Sequence, residues 1–406
     1  MSIMTRRTLL AGATCLCCAG WTGIAAARKR PEELEPLIGP GYAPQDKDER
    51  GIWEQYERIE ADIAGSNLLI EDPALTSYLA GLAARVGGPA AQDLRVYLAH
   101  VPEFNAFMAP TGFMVVFSGL LTRMKNEAQL AGVLAHEAGH FLLKHQIRAW
   151  RDLRGKTDAL SILGLGAGVG GVAAGVYLGD IVRLAQFGTI FSLASYGRGL
   201  EAEADALGVR LISDARYSPL AMPDIWRQLI GEIEASARMR RVRPDRGYSL
   251  LATHPAPEER MEDLGQSARE IAARTRVPYE TGRERYLQAI DNYRPMLLED
   301  QVKLNDPGAS LFIIQTLAED GWNGLLRYHE AEVWRLRGRD GDAERAAAGY
   351  ARAITYADAP PEAWRAHGYA LLKTGRAGEG RKALATYLEM KPDAPDAPMV
   401  RYTLRQ

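Results

Sequence analysis

Past residue 18 the 406-residue chain contains no cysteine; its three, Cys15, Cys17 and Cys18, sit together near the start. If that terminus is removed, disulfides and thiolate metal sites are both excluded, so any metal must be held by nitrogen and oxygen. An excess of charge is also missing. Lys and Arg number 49 against 51 Asp and Glu, a net charge of −2, which gives no general attraction to nucleic acid or acidic lipid. Aromatic residues make up 8% and hydrophobic residues 47%, the composition of a globular chain with material for one large core and a second module. Long uncharged runs are scarce: "ALSILGLGAGVGGVAAGVYLG", residues 159–179, could span a bilayer by length. Its seven glycines weaken a spanning helix, and a packed or membrane-touching hairpin is the expectation, with a true membrane span as the alternative.

The terminus reads "MSIMTRRTLLAGATCLCCAGWTGIAAARKR". A charged segment with Arg6 and Arg7 precedes an apolar run, and Ala25–Ala27 offers an A-x-A cleavage site. Residues 1–27 therefore read as an export signal of twin-arginine type, with an ordinary secretory signal as the alternative. Thr14 and Leu16, before Cys15 and Cys17, suit lipid attachment poorly. Residues 28–50, rich in proline and charge, read as a flexible leader. Helical spacing of apolar residues begins at Ile52, "LRVYLAH" looks extended, and "FNAFMAPTGFMVVFSG" reads as two strands turned at Pro110–Gly112. The fold class expected is mainly α with a small β-sheet. A larger domain over 51–290 would precede a helical repeat domain over 305–406. In the latter, Trp364, Gly368, Leu371, Leu384, Tyr387 and Pro392 have tetratricopeptide spacing, and a 34-residue step back aligns Gly341 with Gly375 and Tyr350 with Leu384.

The chemistry concentrates in "VLAHEAGHFLLKH", residues 133–145. Asn126 caps the helix that carries it, with Gln129 at the third position. At about 100° per residue, His136 and His140 share a face and can reach one ion, with Glu137 beside them. His145 would fall about 140° from His140 on a continuous helix, outside the cluster, in a structural or surface role. Glycine at 139 costs helix stability and is tolerable where another backbone comes close. Catalytic zinc takes three protein ligands and leaves a position open. The third is sought in "YGRGLEAEADALG", where Glu201 and Asp205 share a helix face: one would bind zinc and the other orient a histidine.

"NAFMAPTGFMVVFSGLL", "LAGVLAHEAGHFLLKH", "YGRGLEAEAD" and "THPAPEER", in that order, resemble the gluzincin-type zinc metallopeptidases that include CAAX prenyl proteases and the HtpX heat-shock protease. The chain also resembles the periplasmic branch of that family, the β-barrel assembly-enhancing proteases, which adds C-terminal tetratricopeptide repeats. That resemblance implies one Zn2+ held by His136, His140 and Glu201. It also implies Glu137 as general base, Asp205 as a second catalytic carboxylate, and Arg198 among the residues supporting the ligands. His254, between prolines in "THPAPEER", is implied as a fourth ligand that gates the site. Gly197 and Leu200 depart from the residues usual there. The strand Asn105, Ala106, Phe107 and Met108 is expected at the cleft edge, where an extended substrate could pair with it. The function that follows is a periplasmic zinc endopeptidase hydrolysing misfolded or stalled envelope proteins, its repeats docking the outer-membrane assembly machinery. The rival is a chaperone or scaffold whose zinc site stays latent.

Overall fold

The computed structural model describes residues 31–154, 196–244, 257–276 and 278–406. The expected export signal at residues 1–27, residues 159–179 and His254 lie outside these segments. The fold is mainly α with one small sheet. Strands β1 (Arg95–Ala99), β2 (Ala106–Met108) and β3 (Phe113–Phe117) lie in the order β1–β3–β2, with β1 parallel and β2 antiparallel to β3. The central strand reads FMVVF and is buried on both faces, as an apolar run without alternation demands. Alternate residues serve two cores. Phe113, Val115 and Phe117 face Ile52, Tyr56 and Ile63 of α1 (Lys47–Ala64), while Met114 and Val116 face the larger core.

That larger core is built from α2 (Pro73–Val86), α3 (Ser118–Arg123), α4 (Glu127–Leu142), α6 (Arg198–Asp214), α7 (Ala221–Arg240) and α8 (Pro257–Arg274). Helix α5 (His145–Arg154) follows α4, and α9 (Arg283–Ile290) follows α8. Every residue of α4 except Val133 is buried, so the histidine motif runs through the middle of the domain. The cap is the one expected: Asn126 accepts from Gln129 N at 2.9 Å, and Gln129 Oε1 accepts from Lys125 N at 2.7 Å. Buried Arg123 donates two bonds to buried Glu232, at 2.8 and 2.7 Å, tying α3 to α7.

The leader is a correction to the sequence reading. Leu34 and Ile38 are 2% exposed and belong to the main core, and Leu37 N donates to Leu142 O at 2.8 Å. Lys144 reaches Tyr42 and Glu49 just beyond the end of α4. Polar and proline-rich composition suggested free chain, but two apolar residues four apart suffice to pin the segment 31–46 against the metal-motif helix.

The C-terminal part is α10 (Arg294–Lys303), α11 (Pro307–Leu317), α12 (Gly324–Arg337), α13 (Asp342–Ala353), α14 (Pro361–Lys373), α15 (Ala377–Met390) and α16 (Ala397–Arg405). Helices α12–α13 and α14–α15 form two hairpins. Gly341 and Gly375, 34 residues apart, both hold φ of 79°, a left-handed turn that a side chain resists. Helix α11 lies directly on α7, where Phe312 fills the space a side chain at Gly231 would need. Among the described residues, no helix is long and apolar enough to cross a membrane.

Candidate metal centre

The crossing of α4 and α6 makes the site. A Cβ on Gly139 of α4 would lie 3.1 Å from Ala204 O, and one on Gly208 of α6 would lie 3.2 Å from His136 N. Two glycines thus let the backbones approach to a distance that side chains would prevent. Close approach carries Glu201, one turn into α6, up to the two histidines. His136 Nε2 and His140 Nε2 are 3.0 Å apart, and Glu201 oxygens lie 3.6 and 3.5 Å from them. Donors bound tetrahedrally at about 2.05 Å stand about 3.3 Å apart. The two Glu201 distances end on different oxygens, Oε2 and Oε1, and one ligand atom from each of the three residues lies within 4.8 Å of the others, a cluster that could hold one ion. Among the described residues this is the group of side chains that could hold a metal ion, and all three are buried.

Both imidazoles are held from behind. Asp205 Oδ1 lies 2.9 Å from His136 Nδ1, so the carboxylate accepts its N–H and leaves Nε2 bare for an ion. His140 Nδ1 lies 2.9 Å from Nδ1 of His145, which is fully buried. His145 thus touches a ligand histidine, which the helical arithmetic did not foresee. The reason is a break: α4 ends at Leu142, Lys144 adopts φ of 53°, and α5 restarts at His145 in a new direction. Burial pushes the His145 pKa down. Tyr196 lies parallel to the His140 ring at 3.9 Å.

Arg260 of α8 is the residue that sequence reasoning passed over. It lies in the quoted "THPAPEER", yet no spacing rule connects it to a helix 55 positions earlier. Its guanidinium donates to both Asp205 oxygens, at 2.7 and 2.6 Å, and packs on Trp226 at 4.1 Å. Its Nη1 is 2.9 Å from Glu201 Oε2, an ion-pair distance off the hydrogen-bonding direction. Burial alone would raise the Asp205 pKa, but the charge and hydrogen bonds of Arg260, with His136, hold it well below the usual carboxylate range. Arg198 stands exposed at the first residue of α6.

Glu137 is 3% exposed and lines a cavity of about 50 Å³ together with His136, Asp205 and Arg260. The remaining walls are apolar, chiefly Leu120, Val133, Met222, Ile225 and Trp226. Such a space admits a few waters or one side chain. Asn105 and Ala106 form part of its rim. Ala106, Phe107 and Met108 make the edge strand β2, and Gln146 Nε2 donates to Met108 O at 2.6 Å.

The model of peptidase family M48 matches residues 70–268, which include the whole ligand triangle. A beta-barrel assembly-enhancing protease of Escherichia coli K12 is 30% identical over 212 residues, covering 52% of this chain and 42% of that protein. The protein of the same name from Yersinia pestis is 30% identical over 220 residues, covering 50% and 41%. The mitochondrial metalloendopeptidase OMA1 of Arabidopsis thaliana is 30% identical over 194 residues, covering 48% and 33%. The chain spans about half the length of the bacterial curated relatives it matches. Residues 70–268 are therefore a peptidase family M48 domain.

Proposed function

We propose that this chain is a zinc-dependent endopeptidase of the cell envelope that cuts unfolded or misassembled outer-membrane proteins. The observation that carries the reading is the buried His136–His140–Glu201 cluster, its nearest nitrogen and oxygen atoms 3.0 to 3.6 Å apart, beside the buried carboxylate of Glu137. One zinc per chain held there would supply Lewis acidity toward water and the scissile carbonyl. Glu137 takes a proton from the attacking water and returns it to the leaving nitrogen. Asp205, kept ionised by Arg260, suits the task of orienting His136 better than that of donating a proton.

An extended peptide adding to the edge of β2 would run along the cavity that Glu137 lines. Gln146 already occupies the Met108 carbonyl, so addition is confined to the Asn105–Ala106 end. The apolar walls suit a bulky apolar side chain next to the cut bond, a feature that unfolded proteins expose and folded ones hide. The relatives' printed name, beta-barrel assembly-enhancing protease, supports outer-membrane proteins as the substrates and their assembly machinery as the partner. In this reading the chain is periplasmic, α12–α15 act as tetratricopeptide-like docking repeats, and residues 159–179 give peripheral membrane contact. His254 closes the resting site as a fourth ligand.

The test is cleavage of a casein-type unfolded substrate before and after zinc is stripped by a chelator and restored. Activity that disappears and returns with zinc supports the reading. A zinc-loaded chain that binds the substrate without cutting it would favour a holding role instead.

A further inference from the structure

His145 occupies a place that the peptidase reading leaves without a task. Its ring is 0% exposed and joins two polar partners: Nδ1 lies 2.9 Å from His140 Nδ1, and Nε2 lies 3.3 Å from Glu203 Oε2. Arg148 Nη1 donates to the same Glu203 oxygen at 2.7 Å. A carboxylate offers only lone pairs, so the proton between Glu203 and His145 sits on His145 Nε2. A neutral imidazole protonated there has a bare Nδ1, which accepts the N–H of His140 Nδ1. That leaves His140 Nε2 bare and directed at His136 Nε2 and Glu201, the form in which an imidazole binds metal. The opposite polarity would put a proton on His140 Nε2 and close the site to an ion.

We propose that His145 is a positioning residue for the metal centre: with Glu203 it fixes the tautomer and ring plane of His140, as Asp205 does for His136. The two ligand histidines are then supported from opposite directions. Asp205 comes from the same helix as the ligand Glu201, whereas His145 comes from the start of α5 after the Lys144 break. Tyr196, stacked on His140 with ring planes 18° apart, limits rotation of the same ring. The inference rests on reading the triangle as a zinc site.

The experiment uses the full chain as wild type, His145→Leu and His145→Gln. Zinc affinity is read by competition with a chromophoric chelator, geometry by the absorption spectrum of the cobalt-substituted protein, and packing by thermal unfolding of the metal-free protein. The leucine variant loses the acceptor, and its zinc affinity falls roughly 10–100-fold with a shifted cobalt spectrum. The glutamine variant, whose carbonyl can still accept from His140, stays near wild type in both. Wild-type affinity and spectrum in the leucine variant overturn the proposal. So does an equal loss in both variants, which marks packing alone. If the leucine variant does not fold, Glu203→Ala tests the same chain from its outer end: a several-fold weaker site supports it, and an unchanged one overturns it. A wild-type chain that binds neither metal overturns the zinc reading itself, and this proposal with it.

Discussion

Arg260 grips both oxygens of Asp205, at 2.7 and 2.6 Å, with each side chain less than a tenth exposed. The pair fastens α8 to α6 directly behind His136. Replacing Arg260 by leucine leaves a buried carboxylate without its cation, which costs roughly 3–5 kcal/mol. Denaturant unfolding of the metal-free chain measures it, and a loss under about 1 kcal/mol would contradict the pairing. Arg260→Lys should recover only part, because an ammonium cannot reproduce the two-pronged geometry.

The contact of Gly139 with Ala204 gives a second expectation. Gly139→Val drives methyl groups into a carbonyl that a Cβ would already meet at 3.1 Å. Overpacking of this kind costs roughly 1–3 kcal/mol. Because α6 carries Glu201, its displacement should weaken zinc binding about tenfold or more. Isothermal titration with zinc checks it; an unchanged affinity would mean that the helix crossing does not set the ligand distance.

How much of this could be read beforehand depends on the range of the signal. Local signals held: the Asn126 cap with Gln129, the strand pair turned at Pro110–Gly112, and the 34-residue step between Gly341 and Gly375. The facing pair His136 and His140 follows from helical period alone. Glu201 entered through family resemblance, since periodicity could not separate it from Asp205. His145 stays outside the ligand cluster as expected, but its contact with His140 was not foreseen because the arithmetic assumed an unbroken helix, and a lysine at φ of 53° carries no sequence mark. Arg260 was invisible for a different reason: its partners are 55 and 59 residues away, and only tertiary packing joins them.

The pH dependence of stability has a specific source in the C-terminal helices. His329 of α12 is buried, and burial draws its pKa from 6.5 down to about 4. The folded chain keeps it neutral while the unfolded chain takes up a proton below about 6.5. This contribution is therefore intact above pH 6.5 and is lost as pH falls toward 4. Between pH 7.5 and 5 it amounts to about 2 kcal/mol. His329→Phe should remove that loss, so unfolding free energies of variant and wild type should move apart by that amount on acidification. Parallel curves would contradict it.

His254→Ala tests the gating reading. If His254 caps the zinc, the variant should show faster cleavage of itself or of a casein-type substrate than wild type. A folded variant that is inactive would assign His254 to catalysis or packing instead.

The central claim is that two histidines and Glu201 hold one zinc for which Glu137 handles the proton. Its most direct test measures metal content and unfolded-protein cleavage together, on wild type and Glu137→Gln. The account predicts one zinc per chain in both proteins and cleavage by the wild type alone, the variant falling by about 10² to 10⁴. A folded wild type without zinc, or a zinc-loaded Glu137→Gln protein that cuts at the wild-type rate, would contradict it.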